Sequence, residues 1–182
     1  MMTKPRIATT SLAGCFGCHM SVLDIDERIL QLVEIIDFDK SPINDIKEFH
    51  GRCAVGLIEG GCCNEENVRV LREFRKYCDV LVLLGDCATM GGIPAMRNTI
   101  PLEECYKTAY LEGPTVYNPS GKIPDDPEIP LILDKVYPCK EIVKIDYSLP
   151  GCPPSGDSIW QTLNALLAGK PLDLPYELIK YD

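Results

Sequence analysis

Short apolar runs and amphipathic stretches alternate along the first half of the chain. The apolar runs at 6–10, 53–58 and 79–85 have the length and continuity of buried parallel strands. Between them, apolar residues recur at three- and four-residue steps. This spacing predicts one amphipathic helix over 22–36 and a second that begins after Asn64, a residue suited to an N-cap. Strand and helix in alternation indicate βαβ units, and therefore an α/β protein with a parallel sheet.

The second half of the chain is less regular. Residues 89–138 are rich in Gly and Pro and show little periodicity, which predicts an irregular stretch covered by another chain or a functional loop, with disorder as the alternative. A strand is predicted at 141–146, followed by a helix that begins near Asp157 and stops at Gly169. The chain has 182 residues, 46% of them hydrophobic, and we expect them to form one domain around one core.

Charge and hydropathy predict where the protein is located and which classes of partner it does not bind. The formal net charge is −9, and Lys and Arg are scattered, so we expect no nucleic-acid partner. No apolar run reaches the length of a membrane span, and the first residues lack the hydrophobic region of a signal peptide. We therefore expect a cytoplasmic protein that does not insert into a membrane.

Ten cysteines point to metal or redox chemistry, because thiols stay reduced in the cytoplasm. Four of them lie in loops that follow predicted strands: Cys15, Cys18, Cys87 and Cys152. Parallel sheets carry their sites at the carboxyl ends of the strands, so we expect these thiols to meet there, beside Glu59. The Cys15–Cys18 spacing alone is compatible with zinc, disulfide exchange and iron-sulfur clusters. The remaining cysteines in apolar or helical stretches are expected to be small buried hydrophobes, namely Cys53, Cys78, Cys105 and Cys139.

Taken together, the four loops resemble the N-terminal domain of the small subunit of nickel-iron hydrogenases. The matching motifs are Gly14-Cys15-x-x-Cys18, Glu59-Gly60, Gly85-Asp86-Cys87-Ala88 with Gly91-Gly92-Ile93-Pro94, and Pro150-Gly151-Cys152-Pro153-Pro154. The resemblance covers nearly the whole chain. It implies a flavodoxin-like, doubly wound parallel sheet with cysteine-bearing loops at the C-terminal strand ends. It also implies one proximal [4Fe-4S] cluster bound by the four cysteines, so that residues 1–182 form a single cluster-binding domain.

The resemblance implies an electron-transfer subunit that does not itself cleave hydrogen. Hydrogen would be split at a Ni-Fe centre in a partner large subunit, and the electrons would leave through the cluster. Within the family the chain looks most like the bidirectional NAD-reducing type, a resemblance that extends to Cys18-His19-Met20-Ser21. That type is a hydrogen dehydrogenase in which iron-sulfur and flavin subunits of a diaphorase module carry FMN and reduce NAD. Small subunits of F420-reducing and sulfhydrogenase complexes remain alternatives.

Several residues and rival classes stay open at this point. Glu59 and His19 are candidates for groups that act beside the cluster, through hydrogen bonds or proton traffic, although each also suits a structural role. The related subunit of respiratory complex I uses an adjacent cysteine pair as ligands. Here the adjacent pair, Cys62-Cys63, follows Glu59, and the family pattern gives it no ligand role. A structural zinc module fits dispersed cysteines poorly, and an FMN-binding flavodoxin-like protein would need Ser and Thr in the first loop.

Overall fold

The computed structural model describes residues 4–179, so the predicted domain extends three residues beyond them at each end. Seven strands are present in these residues: β1 (Arg6–Ser11), β2 (Asp37–Phe38), β3 (Cys53–Glu59), β4 (Cys62–Asn64), β5 (Cys78–Leu84), β6 (Ile132–Tyr137) and β7 (Tyr147–Leu149). Five of them form a parallel sheet in the order β2-β1-β3-β5-β7, while β4 and β6 pair antiparallel beside it. Counted within the large sheet alone, the order is 2-1-3-4-5, which is the flavodoxin-like order. The predicted fold class is confirmed.

The described residues contain six α-helices: α1 (Gly17–Leu23), α2 (Arg28–Ile35), α3 (Glu65–Tyr77), α4 (Gly85–Met90), α5 (Leu102–Lys107) and α6 (Gly156–Leu167). Short 3-10 turns lie at Ile93–Thr99, Cys139–Glu141 and Tyr176–Leu178, and a π turn lies at Thr108–Glu112. None of these helices is both long enough and apolar enough to cross a bilayer.

The sheet is buried on both faces, because neighbouring residues of a strand belong to different cores. Leu57 of β3 and Val82 of β5 face one core, whereas the adjacent Ile58 and Leu83 face the other. Helices α1, α2 and α6 cover the first face with Val22, Leu32, Ile159 and Leu163, and α3 covers the second with Leu71 and Phe74. Burial on both faces explains why the strands are continuous apolar runs without alternation.

Helices α3 and α6 begin at capping residues, and a glycine follows the end of α6. Asn64 is the N-cap of α3, where its side chain accepts the backbone N–H of Asn67 at 2.8 Å. Ser155 caps α6 in the same way through Ser158. Beyond α6, Gly169 adopts a φ of 64°, the left-handed conformation that ends many helices. The predicted starts of both helices and the predicted stop of α6 are confirmed.

The predicted helix over 22–36 is wrong in one respect, because the structure divides it into α1 and α2. A turn separates them, and Asp26 within it has a φ of 56°, which is incompatible with a continuous right-handed helix. Ile25 lies in this turn and is fully buried. The apolar spacing therefore continues through the break, and the periodicity alone did not reveal it.

The predicted strand at 141–146 is also wrong. The chain forms the Cys139–Glu141 turn and an extended loop there, and the last strand of the sheet is the shorter β7, at Tyr147–Leu149. Ile142, Val143 and Ile145 pack against the core on the α3 side without pairing in the sheet. An apolar run that covers a core from a loop has the same composition as a buried strand.

Residues 89–138 contain more structure than their sequence predicted. After α4 they form the Ile93–Thr99 turn, α5 and the π turn, and they end in β6. Asn98 fixes the first turn to β6 by two hydrogen bonds with the backbone of Val136, at 2.9 and 2.7 Å. That a partner covers this stretch stays a prediction.

Candidate metal centre

Four cysteines from three strand-end loops meet at one edge of the sheet. Cys15 and Cys18 follow β1, Cys87 lies on α4 after β5, and Cys152 follows β7. They line a cavity of about 70 Å³, together with Glu59 from the end of β3. The sequence placed these five side chains at the carboxyl ends of parallel strands, and the structure brings them together there.

The Cys18 thiol lies within electrostatic reach of Glu59 and of the other three thiols. Burial, the Glu59 carboxylate and then the other three thiols raise the pKa of Cys18 from 9.0 to about 12. Burial likewise raises the pKa of Cys87. Four thiolates around one cavity would repel each other, so this donor set is suited to a group that brings positive charge and replaces the protons.

The spacing of the four thiols indicates whether the site suits a single metal ion or a cluster of several irons. Within residues 4–179, no three His, Cys, Asp or Glu side chains lie close enough to hold a single metal ion. The thiols instead surround a cavity, with Cys18 buried and both Cys15 and Cys152 exposed at its rim. Four cysteines around a central space fit a cluster of several irons better than one tetrahedral zinc.

Glycines next to the cysteines leave room for the sulfurs. Gly85 has a φ of 80°, and a Cβ at this position would overlap the sulfur of Cys18. Gly92 has a φ of 50°, and a Cβ there would lie 3.0 Å from the sulfur of Cys87. These two glycines therefore satisfy both a left-handed backbone and a close approach of a thiol.

Asp86 joins two of the cysteine loops. Its backbone N–H donates to the carbonyl of Gly151 at 3.1 Å, and its side chain accepts the N–H of Gly151 at 2.9 Å. This reciprocal pair holds the Cys87 loop against the Cys152 loop. The local sequence predicts no such role for Asp86, because its partner lies 65 residues away and only the fold brings the two together.

His19 and Glu59 form a buried pair behind the cavity. The carboxylate of Glu59 accepts the backbone N–H of His19 at 3.1 Å and also bonds its ring Nδ1. The other ring nitrogen, Nε2, lies 3.0 Å from the hydroxyl of Thr9, which lies 2.6 Å from that of Ser41. Glu59 lines the cavity whereas His19 does not, so the structure brings the two candidates together and places only one at the site. Thr9 and Ser41 were missed, since nothing in their sequence context links them to the cysteines.

The remaining cysteines lie away from the cavity. Cys53 and Cys78 face each other across β3 and β5, and Cys62 and Cys139 lie in the same core, where the Cys139 thiol donates a hydrogen bond to the carbonyl of Gly60 at 3.2 Å. The expected burial of Cys53, Cys78 and Cys139 is confirmed, whereas Cys105 is only half-buried on α5. Cys63 bonds to Asn67 through its thiol at 3.3 Å. The adjacent pair Cys62-Cys63 therefore contributes no sulfur to the lining of the cavity.

Comparison with known proteins identifies close relatives of this chain. The family model described as "NADH ubiquinone oxidoreductase, 20 Kd subunit" matches residues 15–166. The NAD-reducing hydrogenase HoxS subunit delta of Cupriavidus necator is 48% identical, over 98% of this chain and 86% of that protein. A subunit of the F420-non-reducing hydrogenase of Methanothermobacter thermautotrophicus is 36% identical over 96% of this chain, which spans 57% of that longer protein.

A solved structure shares the whole fold. The crystal structure of an NAD+-reducing [NiFe]-hydrogenase in the H2-reduced state contains a chain that is 49% identical. The two superimpose with a TM-score of 0.95, over 98% of this chain and 99% of the other. At this identity and coverage, the two chains share one fold.

Proposed function

We propose that this chain, which belongs to the family of the 20 kDa subunit of NADH ubiquinone oxidoreductase and of [NiFe]-hydrogenase small subunits, carries electrons from hydrogen oxidation to NAD. The observation that supports this most directly is the meeting of Cys15, Cys18, Cys87 and Cys152 around one cavity. A chain of this family that gathers four thiols in this way has the donor set of an electron-transfer centre.

In this proposal the four cysteines bind one [4Fe-4S] cluster, which supplies one-electron transfer when bound. The residues of the chain determine how the cluster is held. Gly85 and Gly92 keep space beside the sulfurs of Cys18 and Cys87, and Asp86 holds the Cys152 loop in place. Burial of Cys18 shields one side of the site from water. The exclusion of water and the packing of the loops around the sulfurs are both ways in which a protein adjusts the potential of a cluster.

Glu59 and His19 act beside the cluster without ligating it. Helix α1 has Phe16 at its N-cap, a side chain that cannot accept a hydrogen bond, and the Glu59 carboxylate accepts the free N–H of His19 instead. The pair thereby fixes the turn that carries Cys18. Glu59 also lines the cavity, and we include in the proposal that its carboxylate takes part in proton transfer at this edge once a partner is bound.

Exposed residues at and near the cavity indicate where a partner subunit binds. Cys15 and Cys152 are exposed, and the large apolar side chains of Met90, Ile93 and Met96 are exposed near Cys87. We assign this surface, and residues 89–138 as a whole, to contact with a large subunit that holds the Ni-Fe centre. An exposed apolar surface of this kind is typical of a permanent interface.

Beyond the cluster, the proposed acceptor is a diaphorase module whose iron-sulfur and flavin subunits carry electrons to FMN and NAD. The two matches near 50% identity are both named as NAD-reducing enzymes, which favours NAD over F420 or sulfur as the acceptor. The complex would then work in the cytoplasm without membrane insertion and without binding nucleic acid.

Substitution of the cysteines tests this function. In the complex purified anaerobically from its host, Cys87→Ala and Cys152→Ala should each remove or convert the cluster and abolish hydrogen-dependent NAD reduction. Cys105→Ala is the matched control, because Cys105 lies outside the cavity, and it should preserve both. The readouts are iron and sulfide content, electron paramagnetic resonance and NADH formation under hydrogen. A normal [4Fe-4S] signal with full activity in either of the first two variants would refute the assignment.

A further inference from the structure

Phe16 adopts a backbone conformation that is unusual for an aromatic residue. It lies between Cys15 and Cys18 with a φ of 69° and a ψ of 6°, in the left-handed region. In the described part of the chain, only Phe16 and Asp26 have a positive φ without being glycine. A bulky side chain in this region is unfavourable by itself, so the surrounding structure must stabilise it.

The ring of His19 provides that stabilisation. The rings of Phe16 and His19 are stacked, with their centroids 4.6 Å apart and their planes 7° from parallel. His19 is itself immobilised, since it is fully buried and both ring nitrogens have partners, Glu59 and Thr9. Phe16 therefore packs against a fixed surface and not against another mobile side chain.

The left-handed residue sets the direction of the chain between the two cysteines. Phe16 is the N-cap of α1, and its carbonyl accepts the N–H of Met20 at 3.2 Å. Cys15 precedes this turn and lies exposed at the rim of the cavity, while Cys18 follows it and is buried. A right-handed or extended backbone at Phe16 would redirect Cys15 relative to the helix that carries Cys18.

We propose that Phe16 is a positioning residue, whose stacking on His19 holds the left-handed turn that directs the Cys15 and Cys18 thiols into one cavity. The inference rests on the proposed function, because the group that these thiols hold is the cluster. It adds a residue that contributes no ligand atom and has no place in the Cys-x-x-Cys motif.

The test compares three substitutions in the anaerobically purified complex. Phe16→Tyr keeps the stacked ring, Phe16→Ala loses the ring but keeps the backbone penalty, and Phe16→Gly loses both. The measurement is the rate at which iron is released to a ferrous chelator, together with the midpoint potential of the cluster. We expect Phe16→Tyr to match the wild type and Phe16→Ala to release iron up to about tenfold faster, with Phe16→Gly between them.

Phe49→Ala is the matched control. Phe49 stacks on Tyr77 with centroids 4.8 Å apart and planes at 11°, and Tyr77 ends α3 just before β5 begins, at the opposite end of the sheet from the cavity. The substitution removes the same ring from a similar stack. It should therefore lower stability but leave the iron-release rate and the potential unchanged.

The outcomes separate the two proposals. A wild-type complex without iron and sulfide would overturn both the proposed function and this role of Phe16. A wild-type complex with the cluster, and Phe16→Ala equal to it in release rate and potential, would overturn only the role of Phe16. If Phe16→Ala fails to assemble, Phe16→Gly and Phe16→Tyr decide, because equal release rates in these two would also overturn it.

Discussion

Gly85 connects the last residue of β5 to the first turn of α4, and two separate requirements exclude other residues there. Its φ of 80° is unfavourable for any residue with a Cβ, and a Cβ would overlap the sulfur of Cys18. Gly169 meets only the first requirement, because its φ is 64° and no atom lies within 4 Å of its Cβ position. The two glycines therefore separate the effect of the backbone from that of the contact with the thiol.

Gly85→Ala should displace Cys18 and lose the iron of the site, whereas Gly169→Ala should keep it. The backbone penalty of about 1–2 kcal/mol applies to both variants, so a similar loss of stability is expected from that source. The measurement is iron per complex, with thermal unfolding as the second readout. Full iron content in Gly85→Ala would show that Cys18 does not need the space the glycine leaves.

The cysteines were the part of the site that could be predicted from the sequence. Their positions after strand-like runs, and the resemblance of the four loops, identified Cys15, Cys18, Cys87 and Cys152, with Glu59 beside them. Phe16 and Asp86 were not identified as site residues. Their contribution depends on a stacked ring and on a backbone hydrogen bond to a distant loop, and neither leaves a pattern in the local sequence.

At the scale of secondary structure, Asp146 connects the loop before β7 to strand β5 and helix α3, where the predicted strand at 141–146 is absent. It lies just before β7, and its carboxylate accepts the N–H of Leu81 at 2.8 Å and a hydrogen bond from Arg75 at 2.6 Å. Burial raises the pKa of Asp146, but these two hydrogen bonds and the charge of Arg75 outweigh it. The pKa therefore lies below its ordinary value.

Asp146→Asn should lower the free energy of unfolding by about 1–3 kcal/mol at neutral pH, because hydrogen bonds to a charged group are lost or weakened. A carboxyl whose pKa is depressed by folding stabilises above its unfolded pKa, about 3.9, and this contribution disappears as the pH falls through the lower folded value. The difference in the free energy of unfolding between wild type and variant should therefore shrink below about pH 4. Urea unfolding at neutral pH and again below about pH 4 measures this difference.

Asp157→Asn serves as the control for this prediction. Asp157 pairs with Arg28 at 2.7 Å, but its side chain is largely exposed, so the loss should be no more than about 1 kcal/mol. A difference between wild type and Asp146→Asn that stayed constant from neutral to acid pH would contradict the role of the Asp146 charge.

The elements were predictable where local and tertiary signals agree. The strands β1, β3 and β5 are buried on both faces, and α3 and α6 have capping residues at their ends, so sequence and fold indicate the same boundaries. The two-residue β2 is too short to give a pattern of its own. The break between α1 and α2 was hidden because Ile25 keeps the apolar spacing while the backbone leaves the helix.

On the scale of the whole molecule, the turn at Ile93–Thr99 exposes large apolar side chains. Ile93 and Met96 are 68% and 67% exposed in the turn that follows the helix of Cys87. Large apolar side chains in such a position favour a covering partner. If the large subunit covers this turn, a charge there would be buried without a counter-charge.

Ile93→Glu should therefore reduce the amount of large subunit that co-purifies with the chain, several-fold at equal expression. Leu30→Glu is the control, because Leu30 is 66% exposed on α2 and belongs to a different part of the surface. Quantitative mass spectrometry of the purified complex gives the ratio of the two subunits. Equal ratios in the two variants would mean that this turn is not part of the interface.

The most direct test of electron transfer through this chain is the visible spectrum of the anaerobic complex, followed as hydrogen and then NAD are added. We predict a broad iron-sulfur absorption that hydrogen bleaches, and that NAD restores with formation of NADH. Loss of the hydrogen response in Cys152→Ala would connect that absorption to this chain. A complex that contains zinc without iron or sulfide, or an absorption that does not change when hydrogen is added, would contradict the proposed function.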